Sequence, residues 1–215
     1  MSITLPSLTR RPPLQPWRRH HIDDLQRRTR HTEARTAHHR VFEPVLVPGL
    51  LQTPDYATEI LTACINAAGR TGEDVDSAVA QRMARQADWE ASSRSTHFLL
   101  AEQALYTRVG ETRTMELQLR ALLDVLTHPP AGTQIAIVPR AARFTCPTTN
   151  FVIYDSREVA VETVTGGLRL TRRHDIADYE KVFDLLTGHA VTGTRAVELI
   201  TDALVFHLAG PAQHE

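Results

Sequence analysis

The spacing of apolar residues changes midway along the chain, and that change limits the folds open to it. Met115, Leu119, Leu122 and Leu126 recur at i, i+4, i+7 and i+11, the signature of one helix face over 112–126. Beyond them come short β-rich runs: QIAIVP (134–139), NFVIYDS (150–156), VAVETV (159–164) and LRLTR (168–172). Turn-prone residues, including Asp155-Ser156 and Gly166-Gly167, separate them, which predicts an antiparallel meander. Helical spacing then returns, through Ile176, Tyr179, Phe183 and Leu186 and again through Ala196, Ile200 and Leu204. Segregated runs of this kind predict an α+β fold, with a helical N-terminal part, a small antiparallel β-meander and two C-terminal helices.

The upstream half is read the same way. Pro6, Pro12, Pro13 and Pro16 interrupt residues 1–18 and predict a linker or arm. Residues 21–41 are polar and free of glycine and proline, which predicts a helix with a thin apolar stripe. Thr53 and Pro54 suit the cap and first position of a helix that runs to about Ala67. A further helix is expected from Glu73 to Ala91, with Val75, Val79 and Met83 at fourfold spacing. His97–Leu100 reads as a strand or bend leading into a short helix. The expected organisation is a basic proline-rich arm (1–19), one domain (20–210) and a short tail (211–215).

The net charge of −1 conceals an uneven distribution. Residues 1–40 carry nine arginines against three acids, and the remainder is acidic. Such an arm suits nucleic acid or a membrane surface, and equally the acidic body of its own or a neighbouring chain. No run of ~18 apolar residues and no apolar signal core is present, so a cytoplasmic protein is expected. Cys64 and Cys146 have neither metal nor redox spacing. Lys181 is the sole lysine, which leaves little room for lysine-based covalent chemistry. No Gly-x-Gly-x-x-Gly, Walker loop, His-Glu-x-x-His or Gly-x-Ser-x-Gly occurs, so no cofactor is expected. On one helix, His20, His31 and His38 would share a face, but at ~1.5 Å rise per residue they stand too far apart for one metal ion.

The candidate site residues are polar groups inside apolar patterns. Arg82, Arg85 and Gln86 lie on one helix, and Arg82 and Gln86 are neighbours at i, i+4. They suit a carboxylate, either internal (Glu102 or Glu162) or on an anionic ligand. Glu102 follows an apolar strand and Glu162 lies within one. Each needs an arginine partner or acquires a raised pKa, and the second case suits acid/base catalysis. Gln118 either caps buried backbone or faces a ligand. Leu51, Gln52 and Tyr56 either dock the loop in the core or line a pocket between helices and sheet.

Several segments together resemble a known family: VPGLLQTPDYA (47–57), RMARQ (82–86), LLAEQALYTRVG (99–110), LQLRALL (117–123), then IAIVP, FVIYD and VAVETV in order. Over residues 20–205 they are similar to the C-terminal effector domain of actinobacterial WhiJ-type helix-turn-helix regulators. In that family a helix-turn-helix precedes the domain, whereas here a short proline-rich stretch does. The resemblance implies a regulatory, antitoxin-like domain active in development or specialised metabolism. It would sense a small metabolite or bind a small BldB-like protein, and it would form a homodimer or pair with a full-length relative. Specific DNA binding and membrane association are not expected. The alternative is a cofactor-free cyclase or isomerase of specialised metabolism, with Glu102 or Glu162 as base and Arg82 steadying developing negative charge.

Overall fold

The computed structural model describes residues 14–17, 20–146 and 148–210. Seven strands form one sheet in the order β1-β7-β6-β5-β2-β3-β4. They are β1 (Gln15–Pro16), β2 (His38–Glu43), β3 (Ser95–Ala101), β4 (Thr133–Val138), β5 (Phe151–Tyr154), β6 (Glu158–Thr163) and β7 (Gly166–Leu170). The helices are α1 (Ile22–Ala34), α2 (Pro54–Ala67), α3 (Val75–Glu90), α4 (Gln103–Tyr106), α5 (Thr112–Thr127), α6 (Arg173–Thr187) and α7 (Gly193–Ala209). The fold is α+β, as the segregated periodicities predict.

The sheet is larger than the expected meander, and it is mixed. β5, β6 and β7 do pair antiparallel in sequence order. β4 lies at the opposite edge, parallel to β3, and β3 is parallel to β2. Parallel neighbours need long crossovers, supplied by α2–α3 between β2 and β3 and by α4–α5 between β3 and β4. Both faces of these strands are covered. Phe98, Leu100, Ile135 and Ile137 face a core completed by α5 and α7, while Leu99 and Ala136 face Phe183 and Leu186 of α6. Double burial explains why FLL and IAIV read as unbroken apolar runs.

The helix expected over 21–41 ends at Ala34, and His38–Glu43 is an inner strand. Its polar appearance comes from partners distant in sequence. Arg40 turns to the α6 side, where it pairs with Glu180, while His39 turns to the helical side and is buried. The strand's first amides are tied by Asp155, whose Oδ1 accepts from Ala37 N at 2.9 Å and His38 N at 2.8 Å. Asp155 and Ser156 both have positive φ in the tight β5–β6 turn, where a hairpin turn was expected.

The Gly166-Gly167 pair is not the turn. It opens β7, and the chain's N-terminal segment crosses it. A Cβ on Gly166 would stand 2.5 Å from the Gln15 carbonyl oxygen, and one on Gly167 would stand 3.0 Å from the Trp17 ring. Trp17 is fixed by its indole N–H to Thr163 O at 2.8 Å and its amide to Thr165 O at 3.2 Å. Part of the expected arm is therefore an edge strand; residues 1–13, 18–19 and 211–215 lie outside the described residues.

Candidate functional site

Strand register builds a polar row on the helical side of the sheet. Glu43 ends β2, one residue beyond the Phe42–Phe151 pair, which places it beside Asn150. Phe151 pairs with Val161, so Asn150 in turn adjoins Glu162 of β6. Glu162 pairs with Gly167, over which Trp17 lies. The order across the sheet is thus Glu43, Asn150, Glu162 and Trp17. Side chains alternate along a strand, so this row shares the face of Val41 and Val152, which belong to the helical-side core.

Asn150 joins the two carboxylates. Its Nδ2 donates to Glu43 Oε1 at 3.4 Å and to Glu162 Oε2 at 3.3 Å. Burial, and then the nearby Glu162 charge, push the Glu43 carboxyl up to about 8. Glu43 nevertheless keeps some solvent exposure. The half-buried surroundings of Glu43, the recess, make charge costly without sealing it off.

Arg82 of α3 passes over Gly49 and donates Nη1–H to Gln52 Oε1 at 2.5 Å. A longer contact, 3.5 Å, joins its Nε to Gln26 Oε1. Burial and then the neighbouring Arg85 lower its guanidinium to about 10, against the pull of Glu162, Cys64 and Glu43. Cys64 of α2 is exposed. Burial first and the Glu162 charge second push its thiol up. Among the described residues, neither Glu43, Glu162 nor Arg82 has an oppositely charged side chain within 4 Å.

The residues singled out from sequence separate into recess and frame. Arg82 and Gln52 join at the recess, whereas Glu162, expected to need an arginine partner, is solvent-exposed and hydrogen-bonded to Asn150. Arg85 instead makes a two-pronged ion pair with Glu33 of α1, Nε to Oε2 at 2.8 Å and Nη2 to Oε1 at 2.6 Å, and also reaches Gln26 at 2.5 Å. Gln86 is partly exposed on α3. Glu102 is held by Arg140, through its amide at 2.7 Å and its Nε at 2.8 Å. It follows β3, three strand spacings or roughly 14 Å from β6, so it does not share a site with Glu162.

Gln118 holds the frame together. Its Nε2 donates to Leu51 O at 2.7 Å and its Oε1 accepts from Thr53 N at 2.8 Å, so both ends of the amide are engaged with backbone. Leu51 and Tyr56 are buried, and the Tyr56 hydroxyl accepts from Val47 N at 3.3 Å. Gln52 belongs to both groups: its Nε2 ties back to Val47 O at 2.7 Å while its Oε1 holds Arg82. The VPGLLQTPDYA loop thereby aims Arg82 into the recess.

Sequence reading missed Glu43, Asn150 and Trp17 as members of the site. Each lies just inside or beyond a strand end, and only the register unites them. The nearest sequence signal was a polar residue at the same end of RVFE, NFVIY and VAVET. His38, grouped with His20 and His31 on one expected helix, begins β2 instead. Among the described residues, no group of three or more His, Cys, Asp or Glu side chains is placed to hold a metal ion, and no helix is long and apolar enough to cross a membrane.

A family model described as a domain of unknown function, DUF5753, matches residues 26–202. The chain belongs to the DUF5753 family. The matched span takes in Glu43, Gln52, Arg82, Asn150 and Glu162, so the recess lies within the DUF5753 domain, while Trp17 precedes it. No curated protein matches the chain. A solved structure similar to it is that of TrmBL2, described as an archaeal chromatin protein with a novel mode of DNA binding. That likeness has 12% identity and a TM-score of 0.37 over 80% of this chain, which spans about half (51%) of the TrmBL2 chain. A similarity at this level carries no argument about the DUF5753 domain's fold or function.

Proposed function

We propose that this DUF5753 domain is a sensor, which binds a small molecule in the recess between the sheet and α2–α3. One observation carries the reading: half-buried Glu43 and Arg82, with exposed Glu162, have neutral amides, not opposite charges, as their hydrogen-bonded partners. Groups serving only the fold are treated differently here, as the closed pairs Arg85–Glu33 and Arg140–Glu102 illustrate. Few convergent polar groups in a cleft between layers are the usual make-up of a ligand site.

The resemblance to WhiJ-type effector domains supports a regulatory output. On this reading, occupancy of the recess changes how the domain engages a small BldB-like protein, a second copy or a full-length relative, and the domain does not itself bind specific DNA. A gel shift that is tight, salt-resistant and sequence-dependent would contradict that last point.

The sensor reading is tested by thermal melting of the purified protein with fractionated small-molecule extract of its source organism. At least one fraction is expected to raise the melting temperature of the wild type, with the effect lost in Arg82→Gln and Glu162→Gln. If no fraction acts, or both variants respond like the wild type, the recess is not the site. A second reading, cofactor-free acid/base catalysis, draws on the raised Glu43 carboxyl beside Glu162. Conversion of the bound compound by the wild type but not by Glu43→Gln would select it.

A further inference from the structure

We infer that the cleft between α1 and the β1–β7 edge of the sheet binds the phosphate group of a small organic phosphate. The cleft holds about 520 Å³ and is lined by Gln15 of β1, by Asp24, Arg27, Arg28 and His31 of α1, and by Arg169 of β7. That volume lies in the range of roughly 300–1,000 Å³ usual for small-molecule sites. Glu43, Gln52, Arg82, Asn150 and Glu162 do not line it, so it is a second site that stands apart from the sensor reading.

The two walls follow from helix spacing and strand register. Asp24, Arg28 and His31 fall at i, i+4 and i+7 and share one face of α1. Ile22, Gln26 and Glu33 are the buried residues of the same helix. The other wall depends on the glycine pair. A Cβ on Gly166 would stand 2.5 Å from the Gln15 carbonyl oxygen, so bare glycine lets β1 lie against β7. Gln15 pairs with Gly167, and Arg169, two residues on, shares the Gly167 face.

The lining is rich in hydrogen-bond donors and poor in free acceptors. Arg27 is answered by Asp23 at 2.8 Å and by Asp24, and Arg169 by Glu158. A guanidinium carries five N–H groups, so both keep donors to spare. Asp24, the acid on the lining, is taken up by Arg27. Arg28 is different: its Nη1 has the ring Nε2 of His20 at 3.3 Å. Among the described residues, neither Arg28 nor His31 has a carboxylate within 4 Å. The unanswered charge of the cleft therefore sits on Arg28, with His31 one turn along the same face.

Donors on two walls select the ligand. A carboxylate directs two coplanar oxygens and suits one arginine fork. A phosphate monoester carries about −1.5 to −2 charges near pH 7 and presents three acceptor oxygens. It accepts from α1 and from Arg169 together, through charge-assisted hydrogen bonds. The organic part then lies along the methylene stems of the arginines.

The test is calorimetric titration of the full chain, at constant ionic strength, with inorganic phosphate, glycerol 3-phosphate and glucose 6-phosphate. Acetate, glycerate and gluconate are the matched carboxylates. At least one phosphate is expected to bind at least tenfold more tightly than its carboxylate counterpart. Arg28→Gln should weaken that binding at least tenfold and His31→Gln severalfold. Arg120→Gln, an exposed arginine of α5 outside the cleft, should leave it unchanged. Circular dichroism confirms that each variant is folded. Three outcomes overturn the inference: no binding by any of the three phosphates, equal binding of phosphate and carboxylate, or equal losses in Arg28→Gln and Arg120→Gln. A single-stranded oligonucleotide that binds more tightly than every small phosphate, through Arg28, would overturn it too and assign the cleft to a nucleic-acid backbone. Arg82→Gln should bind phosphate like the wild type, so failure here leaves the sensor reading standing.

Discussion

At the residue scale, the domain uses the same side-chain types in opposite ways. Arg85 is closed off, buried against Glu33 with two parallel hydrogen bonds, whereas Arg82, one turn earlier, is left open over the recess. Removing one partner of a buried pair strands the other charge, so Arg85→Met is expected to cost about 3–5 kcal/mol of stability by urea denaturation. Arg85→Lys cannot reproduce the fork and should recover only part of that loss. An Arg85→Met variant within about 0.5 kcal/mol of wild type would mean that the buried pair adds nothing net to the packing of α1 on α3. The pair was half legible in sequence. Arg85 stood out on its helix, but Glu33 lay in a polar stretch whose apolar stripe was too thin to reveal a packed face.

At the element scale, the loop 47–53 and the N-terminal strand position the recess by different means. The loop hangs on Gln118, and Gln118→Leu leaves the Leu51 carbonyl and the Thr53 amide buried without partners. A loss of roughly 2–5 kcal/mol is expected from two such groups, together with loss of ligand response, because Gln52 and therefore Arg82 are aimed by that loop. Unchanged stability in Gln118→Leu would show that solvent reaches this backbone. The strand β1 depends on the absence of side chains at Gly166 and Gly167. Gly167→Val drives a branched side chain into the Trp17 ring. Trp17 emission should then shift to the red and become quenchable by acrylamide, while Trp89, packed edge-on to Phe98, keeps its buried signal. An unaltered spectrum would mean that the indole is not seated as described.

These elements also show where the sequence was readable. Helices α2, α3, α5, α6 and α7 declared themselves through their own stripes and, for α2, its Thr53 cap. β2 did not, because Arg40 and the amides at the strand's start find their partners in Asp155, Ser156 and Glu180, each more than a hundred positions away. The glycine pair read as a turn because glycine signals both a bend and a close backbone approach, and only the crossing β1 distinguishes them.

At the scale of the whole molecule, the two buried titrations that matter most oppose each other. His39 lies between the sheet and the α1–α3 layer, and burial above all depresses its imidazole to about 4. Its Nε2 has no hydrogen-bond partner among the described residues. Between pH ~6.5 and 4 the unfolded chain binds this proton and the folded one does not. His39 therefore contributes stability that is present above pH ~6.5 and is lost as pH falls, on the order of 3 kcal/mol across the window. Glu43 has the reverse sign. Raised to about 8, it holds its proton in the folded state when the unfolded chain has released it, so its contribution is present below pH ~4.5 and declines as pH rises towards 8. The windows overlap between pH 4.5 and 6.5, where the two slopes cancel, so stability should stay level there and fall as pH rises from about 6.5 towards 8. Urea midpoints from pH 4.5 to 8.5 are expected to trace this curve. His39→Gln should make the fall begin near pH 4.5, and Glu43→Gln should leave a rise up to pH 6.5 with no alkaline fall. A level profile between pH 4.5 and 6.5 in His39→Gln would mean that His39 does not offset Glu43 there. An alkaline fall that persists in Glu43→Gln would assign it to another group, and Glu43 would then carry no raised pKa in the fold.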